Sequence, residues 1–165
     1  MEDIARALHR GKSSIYNYFT SKEEIFKKVV EKESRQLKEE ITNAVNQENT
    51  PQKKLRAYVI SRMHVLQNLA NFYSAIKDDY FEHYSFVEKL REKHLHDELE
   101  LITEILKEGV EKGIFVIKDL DITAWAIITA LKGFEYPWAV EQDVAKIEKN
   151  IDSLLEVLFN GIIKR

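Results

Sequence analysis

Five glycines and two prolines are spread over 165 residues. Together they make about 4% of the chain, where roughly 12% is usual. Sheets and doubly wound folds consume turn residues, and this chain supplies few. It also has no cysteine, which excludes disulfides, thiol nucleophiles, iron–sulfur ligation and cysteine-based zinc sites. With 44% apolar and 32% charged residues, the chain has the balance of a folded domain. No run approaches eighteen apolar residues, and the opening MEDIARALHRGK lacks the apolar stretch of a signal peptide. The expectation is an all-α protein of the cytoplasm, with no membrane partner.

The helical period can be followed along the chain. Ile4 to Leu8 is a short helix-like piece interrupted by Gly11, and a second piece carries Ile15, Tyr16, Tyr18 and Phe19. Ser21-Lys22-Glu23-Glu24 has capping-box spacing and opens a longer helix through Val30, Leu37 and Ile41. Thr50-Pro51 makes an N-cap and N1 pair for a helix carrying Leu55, Tyr58, Val59, Arg62 and Met63. An aromatic-rich stretch from Phe72 to Phe86 follows, and Ser85 with Glu88 opens the longest helix, which Gly109 and Gly113 are expected to end. Asp121 is expected to cap a penultimate helix that Pro137 stops or kinks. The last helix runs from about Asp143 to Ile163. No strand is required.

Two short helices, a tight turn and a capped third helix outline a helix-turn-helix. Hydroxyl residues at the start of the second piece place free amides where an anion would sit. Lysine there offers charge to phosphate, while tyrosine and asparagine offer hydrogen bonds to backbone or base edges. On composition alone, a surface turn anchored by Tyr16 and Phe19 accounts for the same residues. The run DIARALHRGKSSIYNYFTSKEEIF resembles the DNA-binding signature of the tetracycline-repressor (TetR) family of bacterial transcriptional regulators. The matching parts are Ile4-Ala5, the run Lys12-Ser13-Ser14-Ile15-Tyr16-Asn17-Tyr18-Phe19, and the cap Ser21-Lys22-Glu23-Glu24-Ile25. Farther on, Glu108-Gly109-Val110-Glu111-Lys112-Gly113-Ile114-Phe115 is similar to a family link between helices.

The resemblance implies a DNA face containing Lys12, Ser13, Ser14, Asn17 and Tyr18, with Tyr16 and Lys22 on phosphates. Ile4, Ala5, Leu8, Ile15 and Phe19 would hold the two helices at their angle. His9 stands where the family usually has the turn glycine, and histidine tolerates unusual backbone angles better than most residues. The family also places an amphipathic helix ahead of the Ile-Ala helix, and this chain starts at Met1, just before it. The expectation is that Ile4, Leu8 and Phe19 are partly exposed, and that an upstream-extended chain binds DNA better than this one.

The same resemblance divides the chain into a helix-turn-helix unit at 1–33 and a helical effector-binding and dimerisation domain at 34–165. A pocket is expected among residues 52–69, 86–110 and 122–136. Its candidate lining is Tyr58, Arg62, Met63, Leu66, Leu99, Ile102, Thr103, Leu106, Phe134 and Trp138, most of which serve equally well as plain core. The implied occupant is a small hydrophobic or amphipathic effector. A homodimer would pair the last two helices through Trp125, Ile128, Leu131, Leu155, Leu158 and Phe159, and set two reading helices one DNA turn apart.

His94, Asp97 and Glu98 stand at i, i+3 and i+4, so they share a helix face. Charged helices produce such spacing routinely, and no metal or other cofactor is called for. HExxH, a glycine-rich phosphate loop and a nucleophile elbow are all missing from the sequence, so an enzyme is not expected. The leading expectation is a dimeric repressor released from double-stranded operator DNA by its effector. The alternative is a helical protein–protein interaction module with a degenerate helix-turn-helix. Net charge does not oppose the first reading. Residues 1–28 hold 6 Lys and Arg against 4 Asp and Glu, and the remainder holds 19 against 24. A mildly basic head is joined to an acidic body.

Overall fold

The computed structural model describes residues 6, 9, 12–68, 85–140 and 144–162. The expected piece Ile4–Leu8, apart from Arg6, and the aromatic stretch before Ser85 lie outside the described residues. Six helices are described: α1 Lys12–Tyr16, α2 Lys22–Asn46, α3 Pro51–Asn68, α4 Ser85–Glu111, α5 Leu120–Val140 and α6 Val144–Ile162. The architecture is all-α, with a short N-terminal helical unit leading into a larger helical body. α2 runs unbroken across position 33, so one rigid element joins the two parts.

The helix starts follow local chemistry. Ser21 Oγ accepts the Glu24 amide at 3.1 Å, as capping-box spacing requires. The return contact differs from the expected one. The Glu24 carboxylate accepts the Thr20 amide at 2.7 Å and the Thr20 hydroxyl at 2.8 Å, one residue before the cap. Thr50 Oγ1 accepts the Lys53 amide at 3.3 Å, and Pro51 begins α3.

Three expected boundaries are corrected. Asp119, not Asp121, caps α5, accepting the Ile122 amide on Oδ1 at 2.9 Å. Pro137 does not stop α5, which continues to Val140. Gly109 does not end α4. That role falls to Gly113, whose φ of 67° is the left-handed value a helix C-terminus favours. Gly109 is needed for space, because a side chain there would overlap the Phe115 ring.

α3 lies at the centre, packed against α2, α4, α5 and α6, while α4 and α5 also pack against each other. The apolar stripes meet in one core built on Val30, Leu37, Ile41 and Val45 of α2, Leu55 and Val59 of α3, and Ile102 and Leu106 of α4. Ile128, Leu131, Ile151 and Leu155 close it from α5 and α6. The α2 stripe looks thin beyond Val30 in the sequence, yet Leu37, Ile41 and Val45 bury it to the end of the helix. Burying each such side chain contributes about 1.5–3 kcal/mol. Outside the core, bidentate Arg56–Asp152 bonds of 2.6 and 3.0 Å tie α3 to α6.

Candidate functional site

The reading element comes first along the chain. His9 has φ 50°, and its amide bonds to the Arg6 carbonyl at 3.1 Å. It therefore supplies the left-handed turn that a glycine would usually provide. Ile15 is buried, while Ser13, Tyr16, Asn17, Tyr18 and Lys22 are exposed and Ser14 is half-buried. Phe19 is half-buried, its amide bonding to the Ile15 carbonyl at 3.0 Å. Five residues expected at DNA are thus open to solvent around a short helix in which Ile15 is buried. The side chain of Lys12, and Ile4, Ala5 and Leu8, lie outside the described residues.

Between α2, α3 and α4 lies a cavity of about 170 Å³. Ile41 and Leu101 form apolar walls, while Tyr58, His94 and Glu98 present polar atoms. Beneath it is a buried cluster. Glu98 Oε1 accepts the Tyr58 hydroxyl at 2.7 Å and Arg62 Nε at 2.5 Å. Glu98 Oε2 lies 3.3 Å from His94 Nε2. Arg62 and Glu98 are only 2% and 4% exposed, so the pair is held in the core and its charges must compensate each other.

Electrostatics follow from this packing. Burial pushes the Glu98 carboxyl up, but the Arg62 and His94 charges and the bonds from Arg62 and Tyr58 together hold it below its ordinary value. Burial is the main influence on His94 and lowers its imidazole pKa, with Arg62 and Lys132 adding to that while Glu98 and Asp97 oppose it. Both shifts have the same consequence. The folded state keeps His94 neutral while the unfolded chain takes a proton near 6.5, and it keeps Glu98 charged while the unfolded chain protonates near 4.5. Stability is therefore full above about pH 7, falls as pH drops through 6.5, and falls again below 4.5. Thermal midpoints between about pH 7.5 and pH 5 should show the upper step, and His94→Gln should flatten it.

The cavity and the expected pocket overlap only in part. Tyr58 lines it and Arg62 underlies it through Glu98. Met63, Ile102 and Leu106 are packed into the solid core, and Leu99 and Thr103 are half-buried. The side chains of Leu66, Phe134 and Trp138 lie outside the described residues. The cavity takes its third wall from α2, through Lys38, Ile41 and Thr42, where a wall from residues 122–136 was expected. The signal for its floor is Arg62 and Glu98, opposite charges placed within the apolar stripes of two helices. His94, Asp97 and Glu98 share a face as their spacing demands, but Glu98 is committed to Arg62, and Asp97 to Lys38 at 3.0 Å. Among the described residues no cluster of metal-binding type is found.

The residues expected at a dimer interface also divide. Ile128, Leu131 and Leu155 are buried within one chain. Leu158 and Phe159 are half-buried, and Phe159 stacks on Phe115 with centroids 6.2 Å apart. Trp125 remains 57% exposed, near Ile122 at 67%, with Val157 of α6 at 72%. Among the described residues no helix is long and apolar enough to cross a membrane.

Residues 51–155 match the family model described as tetracyclin repressor-like, C-terminal domain, and residues 1–29 match that of bacterial regulatory proteins, tetR family. No curated protein matches the sequence. Among solved structures, a transcriptional regulator from Cytophaga hutchinsonii is similar, with TM-score 0.79, 23% identity, and 99% of this chain and 88% of that one covered. A candidate fatty acid metabolism regulator of Clostridium perfringens has TM-score 0.74 and 26% identity, covering 99% and 89%. The fatty acid degradation regulator FadR from Bacillus halodurans has TM-score 0.75 and 22% identity, covering 93% and 82%.

Proposed function

Because the chain belongs to the tetracycline-repressor family of bacterial transcriptional regulators, we propose that it is a dimeric repressor that leaves its operator when a small amphipathic effector enters the cavity. One observation carries this reading. α2 begins at the Ser21 cap beside the exposed reading residues and lines the cavity with Lys38, Ile41 and Thr42. An occupant of the cavity therefore presses on the helix that holds the reading element, and the two states differ in effector contact as population shift requires.

Ser13, Asn17 and Tyr18 would face the bases, and Tyr16, Lys12 and Lys22 the phosphates. Apolar walls over a polar floor suit an amphiphile. The fatty acid regulators among the similar structures support a fatty-acid-derived molecule. Two copies would meet through exposed apolar residues of the last two helices, such as Trp125, with the helix-turn-helix units spaced for a palindrome.

Fluorescence anisotropy on the gene's own promoter tests this. Binding should weaken steeply with salt, and Tyr16→Phe with Lys22→Gln should lower affinity and reduce the salt slope by about one for the lost lysine. Adding a medium-chain fatty acid or its thioester should release the DNA. Salt-insensitive binding, or no promoter binding by the dimer, would favour the interaction-module reading.

A further inference from the structure

A second cleft, of about 440 Å³, adjoins the cavity between α2 and α4. Lys27, Arg35 and Lys38 reach it from α2, and Lys89 and Lys93 from α4. Glu31 and Asp97 are its acidic members. The spacing is not scattered. Positions 27, 31, 35 and 38 are one stripe of α2, while 89, 93 and 97 are one stripe of α4. Both carboxylates are engaged, Asp97 with Lys38 at 3.0 Å and Glu31 with Lys27 at 4.0 Å and Lys28 at 3.3 Å. Arg35, Lys89 and Lys93 make no ion pair with any described residue. Beside the two paired lysines, three cations thus face one concavity without a carboxylate partner among the described residues, an arrangement that a bound anion would complete.

Lys38, His94 and Asp97 line both the cleft and the cavity, so the two spaces share a wall. Resting on the proposed effector role of the cavity, we infer that this cleft seats the phosphate-bearing head of the effector, while the apolar portion occupies the cavity beside Ile41 and Leu101. A single carboxylate needs one or two cations. Three unengaged cations beside two that are paired with carboxylates fit a group carrying more than one negative charge, and arginine adds forked bonds to phosphate oxygens. The Lys38–Asp97 pair stands at the junction, where a phosphate would compete with Asp97 for Lys38. A concave site between helices fits a small anion better than a duplex, which is convex.

Calorimetry on the whole protein at constant ionic strength decides the matter, with octyl phosphate and 1-octanol as probes. Octyl phosphate should bind at least about tenfold more tightly than octanol. The triple variant Arg35→Gln, Lys89→Gln, Lys93→Gln should erase that preference while leaving octanol binding and promoter affinity unchanged. Equal binding of the two probes by the wild type overturns this inference but leaves the effector cavity standing. If neither probe binds, the cavity reading falls with it. A triple variant that keeps the phosphate preference but loses promoter affinity assigns these cations to DNA, and also overturns the inference.

Discussion

Glu98→Ala is expected to cost about 3–5 kcal/mol of folding stability, because it leaves the Arg62 guanidinium buried without its carboxylate. The 2.5 Å bond from Arg62 and the 2.7 Å bond from Tyr58 end on the same Glu98 oxygen, so one truncation removes both bonds at once. For a chain of this length the thermal midpoint should fall on the order of ten degrees. Replacing the pair together, Glu98→Leu with Arg62→Met, should cost far less than either single change and can be neutral, since no charge is then stranded. Chemical denaturation of the two singles and the double measures the coupling. A loss below about 1 kcal/mol for Glu98→Ala would mean that water reaches the cluster and the pair is not a core element.

Gly109→Ala should produce the second large loss. The added methyl would meet the Phe115 ring, and that ring is fixed from two directions. The Phe115 amide bonds to the Gly109 carbonyl at 3.0 Å, and the ring stacks on Phe159 of α6. It cannot step aside without opening the contact between the α4 terminus and α6. Overpacking costs about 1–3 kcal/mol where neighbours yield, and more where they do not. In a Phe115→Leu background the smaller side chain leaves room, so the same Gly109→Ala change should lose at least half its effect. Equal losses in both backgrounds would show that the clash is relieved elsewhere.

Legibility in the sequence varied with the range of the interaction involved. The caps at Ser21 and Thr50 were readable because their partners lie three residues away. Asp121 was a reasonable cap, but Asp119 holds the role, and two acidic residues so close cannot be told apart by spacing. Pro137 did not end its helix, which continues to Val140. The proposed reading element carries its motif in one continuous run, in which Tyr16 and Tyr18 are exposed and Ile15 is buried. The cavity was not. Its walls come from helices far apart in sequence, and α2 joins them only once the chain has packed. Arg62 and Glu98 are separated by 36 residues, and no local pattern pairs them. The hint was a charge sitting where the stripe called for leucine.

α2 has 25 residues without interruption, and its length has a mechanical meaning. At 1.5 Å per residue, the stretch from Lys22 to Lys38 is about 24 Å long. Pivoted at the Lys38 end, a tilt of about five degrees swings the Lys22 end through about 2 Å. In a symmetric pair of copies the two swings add, which shifts the gap between reading helices by about 4 Å against a pitch of about 34 Å. In the proposed dimer, a stiff arm thus turns a tilt of about five degrees into a misfit of more than a base-pair step.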